Sequence, residues 1–278
     1  MARRLLSQGF VVHVHDIDLD KTEALKALGA VVHDSPASLS KQTRTTIICV
    51  VDHKQVDQLL DPKGSPSWWA TLQAGDTVYL CPTLAPDYVE AVAARLQTHG
   101  VCTVDAPMSG GPVRAEAGTM SLMVACEDAV FASQEKLLSA LSSHVFRIGT
   151  RIGDGARTKL VNNLLAGINL VGAAEVMALS EHLGLSLDTT LSVIEQSSGQ
   201  SWIGSERMRR ALVHDFAPRA HMTLLTKDTG LAVDAAKTAG FHGVLGPLAA
   251  HAFAKACEAG WADADDAAML QWVRQQQK

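Results

Sequence analysis

The stretch Gly153-Asp154-Gly155-Ala156-Arg157-Thr158-Lys159-Leu160-Val161-Asn162-Asn163 joins a glycine-rich turn to the most apolar helix-length segment of the chain. Strand and helix patterns alternate before it, and helical patterns alone follow it. Lys159 and Asn163 are four residues apart and therefore share one face of a predicted helix. At the mouth of a cleft between two domains, this pair could give a proton to an oxygen and hold that oxygen in position. A solvated lysine beside an asparagine near a helix start explains the same spacing.

Composition and charge favour a soluble protein of two domains. Its 278 residues exceed what one hydrophobic core usually holds, and the 47% hydrophobic content suffices for two cores. The formal net charge of -5 gives no electrostatic reason to expect nucleic acid or an anionic membrane as a partner. The five cysteines show no C-x-x-C spacing, which argues against disulfides and against a zinc site. Because no secretory-type leader or long uninterrupted apolar run is found, the sequence predicts a cytoplasmic protein.

Short apolar runs predict a sheet in the first half of the chain. Runs typical of buried strands, with helical segments between them, lie at 10–16, 30–33, 45–51, 77–81 and 101–106. The run at 45–51 is continuous and β-branched, which indicates a strand covered on both faces, whereas 118–124 resembles an edge strand. The sequence therefore predicts an α/β fold, with a doubly wound parallel (Rossmann-type) sheet in residues 1–150. Residues 151–278 are predicted to form an all-α domain that begins with a long interdomain helix.

Three features of the helical half lead to further predictions. Residues 160–182 are too densely apolar for a narrow stripe, so we expect this helix to be buried on most sides, by its own domain and by a second subunit. A solvated helix face is predicted for Arg207, Arg209 and Arg210. Lys227 beside Asp228 is typical of a surface ion pair, which contributes little to stability.

Asp16 is a candidate cofactor contact because it ends the first predicted strand. An acidic side chain there accepts hydrogen bonds from the adenosine ribose and disfavours a 2'-phosphate, so it favours NAD over NADP. Capping of the next helix is the alternative, a role that Asp18 or Asp20 could fill equally well. No G-x-G-x-x-G precedes Asp16, so the predicted sheet lacks its central first strand and phosphate-binding loop. Such a sheet should expose apolar edges and bind a dinucleotide poorly.

A second candidate site follows the last clear strand of the sheet, in the stretch Asp105-Ala106-Pro107-Met108-Ser109-Gly110-Gly111-Pro112. Consecutive Ser109, Gly110 and Gly111 allow backbone N–H groups to approach an anion, and the hydroxyl adds one more donor, which suits a substrate carboxylate. The G-x-S-x-G pattern of a nucleophile elbow is absent around Ser109. An ordinary glycine-rich connection is the alternative.

Four ordered motifs agree with one known family. They are 105–111 with 117–119, G-x-G-x-x-x-K-x-x-N-N at 153–163, K-D-x-x-L-A at 227–232, and G-x-x-x-x-D-x-x-A at 260–268. With them the chain resembles the β-hydroxyacid dehydrogenases over essentially its whole length. This 6-phosphogluconate dehydrogenase-like group contains 3-hydroxyisobutyrate dehydrogenase, tartronate semialdehyde reductase and L-threonate dehydrogenase. The resemblance implies an NAD-dependent oxidoreductase of a small β-hydroxyacid that forms a homodimer or homotetramer, with the helix at 160–182 taking part in subunit packing.

The resemblance also implies roles for single residues. Lys159 would be the general acid and base, and Asn163 would orient the reacting oxygen. Ser109, Gly110 and Gly111 would bind the substrate carboxylate, and Lys227 would help close the cleft around the substrate. Contacts to the cofactor would come from Asp16, Val51, Thr83, Lys227 and Asp228.

The chain departs from the family pattern at several positions. The family begins with a strand and G-x-G-x-M-G, whereas Met1 resembles the methionine of the M-A-x-x-L that follows this loop. Ala125-Cys126 replaces the usual Gly-Gly, and Thr229-Gly230 replaces the commoner leucine, so the substrate's shape is expected to differ. The segments 198–202 and 215–219 look more like those of the sugar-acid members.

Two alternatives to a β-hydroxyacid dehydrogenase remain at the level of sequence. One is a non-catalytic relative that binds a small carboxylate or a partner without dinucleotide turnover. The other is an imine reductase or a nucleosome-associated relative, which share the architecture. Lys159 argues against this second alternative, because those groups commonly carry another residue at that position.

Overall fold

A computed structural model describes residues 1–61 and 68–277. The chain divides into two compact units, Met1–Lys159 and Leu160–Lys278. This division falls inside one long helix, one residue after Lys159, whereas the predicted domain boundary at 150/151 precedes that helix and stays a prediction.

The strands of the first unit form a short parallel pair and a larger mixed sheet. They are β1 (His13–Val14), β2 (Val31–Val32), β3 (Thr45–Ile48), β4 (Thr77–Leu80), β5 (Cys102–Asp105), β6 (Met108–Ser109), β7 (Ser121–Ala125) and β8 (His144–Gly149). β1 pairs with β2, and the larger sheet has the order β3-β4-β5-β7-β6 with β8 also beside β7. β3, β4 and β5 run parallel, as predicted for a Rossmann-type fold, but β7 runs antiparallel to β5 and β6.

The helices of the first unit follow the strands and begin at recognisable caps. They are α1 (Ala2–Ser7), α2 (Leu19–Lys26), α3 (Pro36–Ser40), α4 (His53–Leu60), α5 (Pro86–Gln97), α6 (Gly111–Ala117) and α7 (Asp128–Leu141), with a 3-10 turn at Trp68–Thr71. The side chains of Asp18, Ser35 and Asp52 accept backbone N–H bonds at the starts of α2, α3 and α4. The predicted alternation of strands and helices is therefore confirmed.

β4 shows how this sheet is buried. All four residues of the strand are buried, with Val78 and Leu80 in one apolar cluster and Tyr79 in another. Alternate side chains thus enter cores on opposite faces of the sheet, as expected for a central strand covered by helices on both sides.

Three strand predictions need correction. The run at 45–51 ends as a strand at Ile48, and Thr45, Thr46 and Ile47 are only partly buried because β3 lies at the end of the sheet. The run at 10–16 contributes only His13–Val14, and Val11 is 81% exposed. The edge strand predicted at 118–124 is wrong, because β7 lies between other strands: β6 and β8 pair with it and were not predicted.

The second unit is entirely helical in its described residues. Its helices are α8 (Asp154–His182), which begins in the first unit, α9 (Leu187–Glu195), α10 (Trp202–Leu212), α11 (Met222–Thr238), α12 (Leu245–Ala256) and α13 (Met269–Gln275). A π-helical turn (Cys257–Trp261) and a 3-10 turn (Asp266–Ala268) precede α13. Leu170, Ala174 and Met177 of α8 enter the core of this unit together with Phe253 and Met269.

α8 is less buried than its composition predicts. Val161, Leu165 and Leu179 are 71%, 58% and 55% exposed, so the chain itself does not bury this helix on most sides, and burial by a second subunit stays a prediction. By length and hydropathy α8 is also a candidate membrane span, but core helices of soluble domains pass the same test. Its other face, which carries Leu170, Ala174 and Met177, is that of a core helix.

The arginines of α10 are not a solvated face. Arg210 is 6% exposed and donates to Asp265 at 3.0 Å and to the Ala217 carbonyl oxygen at 2.8 Å. Arg207 pairs with the buried Asp266 at 2.5 Å. Only Arg209 stays at the surface, with Glu195 as its partner. Asp265, a position of the terminal family motif, therefore fastens α10 to the segment before α13.

Candidate active site

The start of α8 is packed tightly against the ends of β5 and β7. Gly153 has a φ of +92°, which glycine adopts far more easily than other residues. A Cβ added to Gly155 would lie 2.8 Å from the Met123 carbonyl oxygen and 2.9 Å from the Asp105 carboxyl carbon. The two positions of the G-x-G motif therefore require glycine for different reasons. Gly153 adopts a positive φ, and Gly155 has no room for a side chain.

Lys159 lies one turn beyond Gly155 on α8 and is 6% exposed. The expectation of a solvated lysine is therefore wrong. A buried amine at a fixed place on a helix can exchange a proton with a bound ligand while bulk water is kept away.

Asn163 lies one turn further along α8 and is 8% exposed. Its Nδ2 donates to Oδ2 of Asp228 at 2.5 Å, and its Oδ1 accepts from Nδ2 of Asn162 at 2.9 Å. Asp228 in turn accepts from Nζ of Lys227 at 2.7 Å. Because the amide oxygen and the amide nitrogen both have partners, the orientation of the Asn163 amide is fixed, and one N–H of Nδ2 remains for a ligand.

The Lys227–Asp228 pair is not a simple surface ion pair. Asp228 is 7% exposed, and its second carboxylate oxygen is bonded to Asn163. An ion pair with one buried partner and an additional hydrogen bond holds its geometry better than an exposed pair does. This pair therefore belongs to the surroundings of Asn163.

Ser109 ends the short strand β6, and the next two residues form the turn that opens α6. Gly110 and Gly111 have φ values of +129° and +70°, so both positions favour glycine. Arg114 packs against this turn, because a Cβ added to Gly110 would lie 3.0 Å from its Cβ and Cδ. The turn therefore combines a hydroxyl and backbone N–H groups with a nearby guanidinium.

The sequence analysis did not predict Arg114 as a site residue. Its signal is a cationic residue four positions after Gly110, which places it one helical turn along in α6. A cation at this distance would strengthen binding of a carboxylate to the turn.

Asp16 is the residue predicted to contact the adenosine ribose of a dinucleotide. Asp16 is exposed, and its Oδ1 accepts the N–H of Asp18 at 2.9 Å. The cap of α2 is Asp18, whose side chain accepts from Asp20 N, so capping does not account for Asp16. An exposed carboxylate two residues after a parallel strand fits a pair of ribose hydroxyls.

Two further predicted cofactor residues follow strands of the larger sheet. Val51 comes after β3 and is 49% exposed, and the partly buried Thr83 comes after β4. Val12 and Val14 share an apolar cluster with Ile47, so β1 packs near β3. In the described residues of this unit no backbone ladder joins β1 to β3, and the sheet is divided there.

The comparisons with known proteins extend along the whole chain. Residues 1–149 match the family model described as the NAD binding domain of 6-phosphogluconate dehydrogenase. Residues 153–273 match the model described as NAD-binding of NADP-dependent 3-hydroxyisobutyrate dehydrogenase.

Similar relatives cover the same length. L-threonate dehydrogenase of Cupriavidus necator is 33% identical over 270 residues, which are 97% of this chain and 90% of that protein. The mitochondrial 3-hydroxyisobutyrate dehydrogenase of Homo sapiens is 27% identical over 284 residues, with 100% and 84% covered. The crystal structure of a 3-hydroxyisobutyrate dehydrogenase from Salmonella typhimurium has a TM-score of 0.90 and 31% identity, over 97% of this chain and 94% of that one.

Proposed function

The chain belongs to the β-hydroxyacid dehydrogenase family and is an NAD(P)-dependent hydroxyacid dehydrogenase, and we propose that its substrate is a four-carbon sugar acid such as L-threonate. The observation that carries this choice is the higher identity to the curated relative named for L-threonate, 33%, than to the curated relative named for 3-hydroxyisobutyrate, 27%. The competing substrates are 3-hydroxyisobutyrate and the pair formed by tartronate semialdehyde and its reduction product glycerate.

Lys159 is the general acid and base of the proposed reaction. The dinucleotide, when bound, supplies the acceptor or donor of the hydride. In oxidation the neutral amine of Lys159 takes the proton of the substrate hydroxyl, and in reduction the ammonium returns a proton to the carbonyl oxygen. The near-complete burial of Lys159 supports this role, because it limits competing exchange of that proton with water.

Asn163 holds the reacting oxygen. Its remaining Nδ2 hydrogen donates to that oxygen, while Asp228 and Asn162 fix the amide so that a donor, not the amide oxygen, is presented. This role is supported by the position of Asn163 one turn from Lys159 on the same helix face.

The substrate carboxylate is assigned to the turn at Ser109, Gly110 and Gly111. The Ser109 hydroxyl and the backbone N–H groups of the two glycines are its donors, and Arg114 contributes positive charge beside the turn. Positive φ at both Gly110 and Gly111 supports this assignment, because glycines at such positions let the backbone approach a ligand closely.

We assign NAD, rather than NADP, as the preferred cofactor. Asp16 would bind the ribose hydroxyls and repel a 2'-phosphate, and Val51, Thr83, Lys227 and Asp228 are the further proposed contacts. The 278 residues contain no G-x-G-x-x-G, so Asp16 and the strand ends carry this assignment. We place the enzyme in the cytoplasm as a homodimer or homotetramer, with no nucleic acid or membrane partner.

Steady-state kinetics with a substrate panel tests the proposal. The purified protein is assayed with NAD⁺ and NADP⁺ against L-threonate, 3-hydroxyisobutyrate and glycerate. We expect the highest kcat/KM for L-threonate with NAD⁺, and a preference for 3-hydroxyisobutyrate would refute the substrate assignment. If calorimetry detected no binding of NADH or NADPH, the non-catalytic relative would replace the enzyme hypothesis.

A further inference from the structure

The first turn of α8 is capped by a side chain from another element. The first N–H groups of a helix have no partner within it, and the residue before the helix usually accepts one through its side chain. For α8 this residue is Gly153, which has no side chain. Oδ2 of Asp105, at the end of β5, instead accepts the N–H of Gly153 at 2.9 Å and of Ala156 at 3.1 Å.

The packing around this cap leaves little freedom. Asp105 is 1% exposed, and Gly155 has no room for a Cβ between Asp105 and the Met123 carbonyl oxygen. A carboxylate at this end of a helix is also attracted by the partial positive charge of the helix N-terminus. The first turn of α8 is therefore bound to the end of β5 by charge, by hydrogen bonds and by close contact.

We propose that Asp105 is a positioning residue for catalysis: its carboxylate fixes the first turn of α8 and so sets where Lys159, the next residue on that face, presents its amine. The inference rests on the proposed role of Lys159. It goes beyond that role because it assigns a function to the buried Asp105 carboxylate, which is bonded to the backbone at the start of α8.

The second oxygen of Asp105, Oδ1, is buried and has no hydrogen-bond partner in the described residues. Burial raises the pKa of Asp105 to about 6, although the N–H groups of Ala156, Gly153 and Gly155 lower it. The Asp154 carboxylate also raises the pKa of Asp105, and Asp105 in turn raises the pKa of the Cys81 thiol. A neutral carboxyl accepts N–H bonds more weakly than a carboxylate, so the hold on α8 weakens below about pH 6.

Asp105→Ala and Asp105→Asn are compared with the wild type, because asparagine keeps an acceptor oxygen but loses the charge. In NAD⁺-linked oxidation of L-threonate, we expect kcat of Asp105→Ala to fall at least about tenfold with the KM for NAD⁺ within about twofold. Asp105→Asn should recover only part of this loss at neutral pH, because it keeps the acceptor oxygen without the charge. Ser35→Ala, which removes the cap of α3, is the matched control and should keep wild-type kcat.

The pH profile separates positioning from a purely structural role. Lys159 is present in both proteins, so the ratio of wild-type kcat to Asp105→Asn kcat isolates the contribution of the Asp105 charge. We expect this ratio to fall as the pH drops through about 6, the pKa of Asp105. A ratio independent of pH, or an unchanged kcat in folded Asp105→Ala, would overturn the inference.

A second readout does not depend on turnover. Amide hydrogen exchange at residues 153–156, and labelling of Lys159 by an amine-reactive ester, should be at least about tenfold faster in Asp105→Ala and unchanged in Ser35→Ala. If the wild type turned over no hydroxyacid while both rates rose, the proposed function would fail and the positioning role would stand. Unchanged exchange and labelling would reject the positioning role whatever the activity.

Discussion

At the scale of single residues, the described structure changes the interpretation of Asp228 most. From sequence it is half of a surface ion pair, yet it is 7% exposed and links Lys227 to Asn163. Sequence spacing cannot show this, because Asn163 and Asp228 are 65 positions apart. A carboxylate that fixes the amide of Asn163 controls whether that amide donates or accepts.

Asp228→Asn tests this link. The variant loses a charge-assisted hydrogen bond and allows the Asn163 amide to turn, so we expect kcat to fall about tenfold, which corresponds to ~1.4 kcal/mol. Steady-state kinetics measures it, and Asp234→Asn, which removes an exposed carboxylate of the same helix α11, is the control. Equal kcat in both variants would show that Asp228 does not act through Asn163.

At the scale of elements, the parallel strands were predictable, whereas the antiparallel part of the sheet was not. β4 and β5 are buried and therefore give continuous apolar runs. β6 has only two residues, and β8 alternates exposed and partly buried positions, so neither gives such a run. Without them, β7 looked like an edge strand. The ion pairs of the partly buried Arg207 and the buried Arg210 were not predicted for a similar reason, since their partners Asp266 and Asp265 lie more than 50 positions away.

The glycines of α8 provide a matched test of its packing. Gly155→Ala would place a Cβ 2.8 Å from the Met123 carbonyl oxygen, whereas nothing lies within 4 Å of a Cβ at Gly172. We expect Gly155→Ala to reduce the free energy of unfolding by about 2 kcal/mol through overpacking. Gly172→Ala should raise it by up to about 1 kcal/mol through helix propensity. Thermal or urea unfolding measures both, and equal effects would contradict the packing described for α8.

At the scale of the whole molecule, the exposed apolar residues of α8 are the surface that the proposed homo-oligomer would bury. Four apolar residues of this helix are 45% to 71% exposed, namely Val161, Leu165, Val176 and Leu179. A helix of a monomeric soluble protein usually exposes less apolar surface than this. Burial of this surface in a subunit interface would explain the apolar density of 160–182.

Leu165→Glu tests this explanation by light scattering after gel filtration. A charge in an apolar interface costs far more than on a free surface, so we expect the variant to dissociate at concentrations where the wild type is a dimer or tetramer. Val213→Glu, at an exposed apolar position of another segment, should keep the wild-type mass. A wild-type protein that is itself monomeric would refute the proposed homo-oligomer.

We propose that Lys159 carries out the proton transfer of a hydroxyacid dehydrogenase, and the roles assigned to Asn163 and Asp105 depend on it. The most direct measurement is kcat for NAD⁺-linked oxidation of L-threonate by Lys159→Ala beside the wild type, with NADH binding and thermal unfolding measured on both. We predict that the variant folds, binds NADH like the wild type, and loses kcat by about 10³-fold, within the usual range for a general acid or base. A folded, cofactor-binding variant with wild-type kcat would contradict the account.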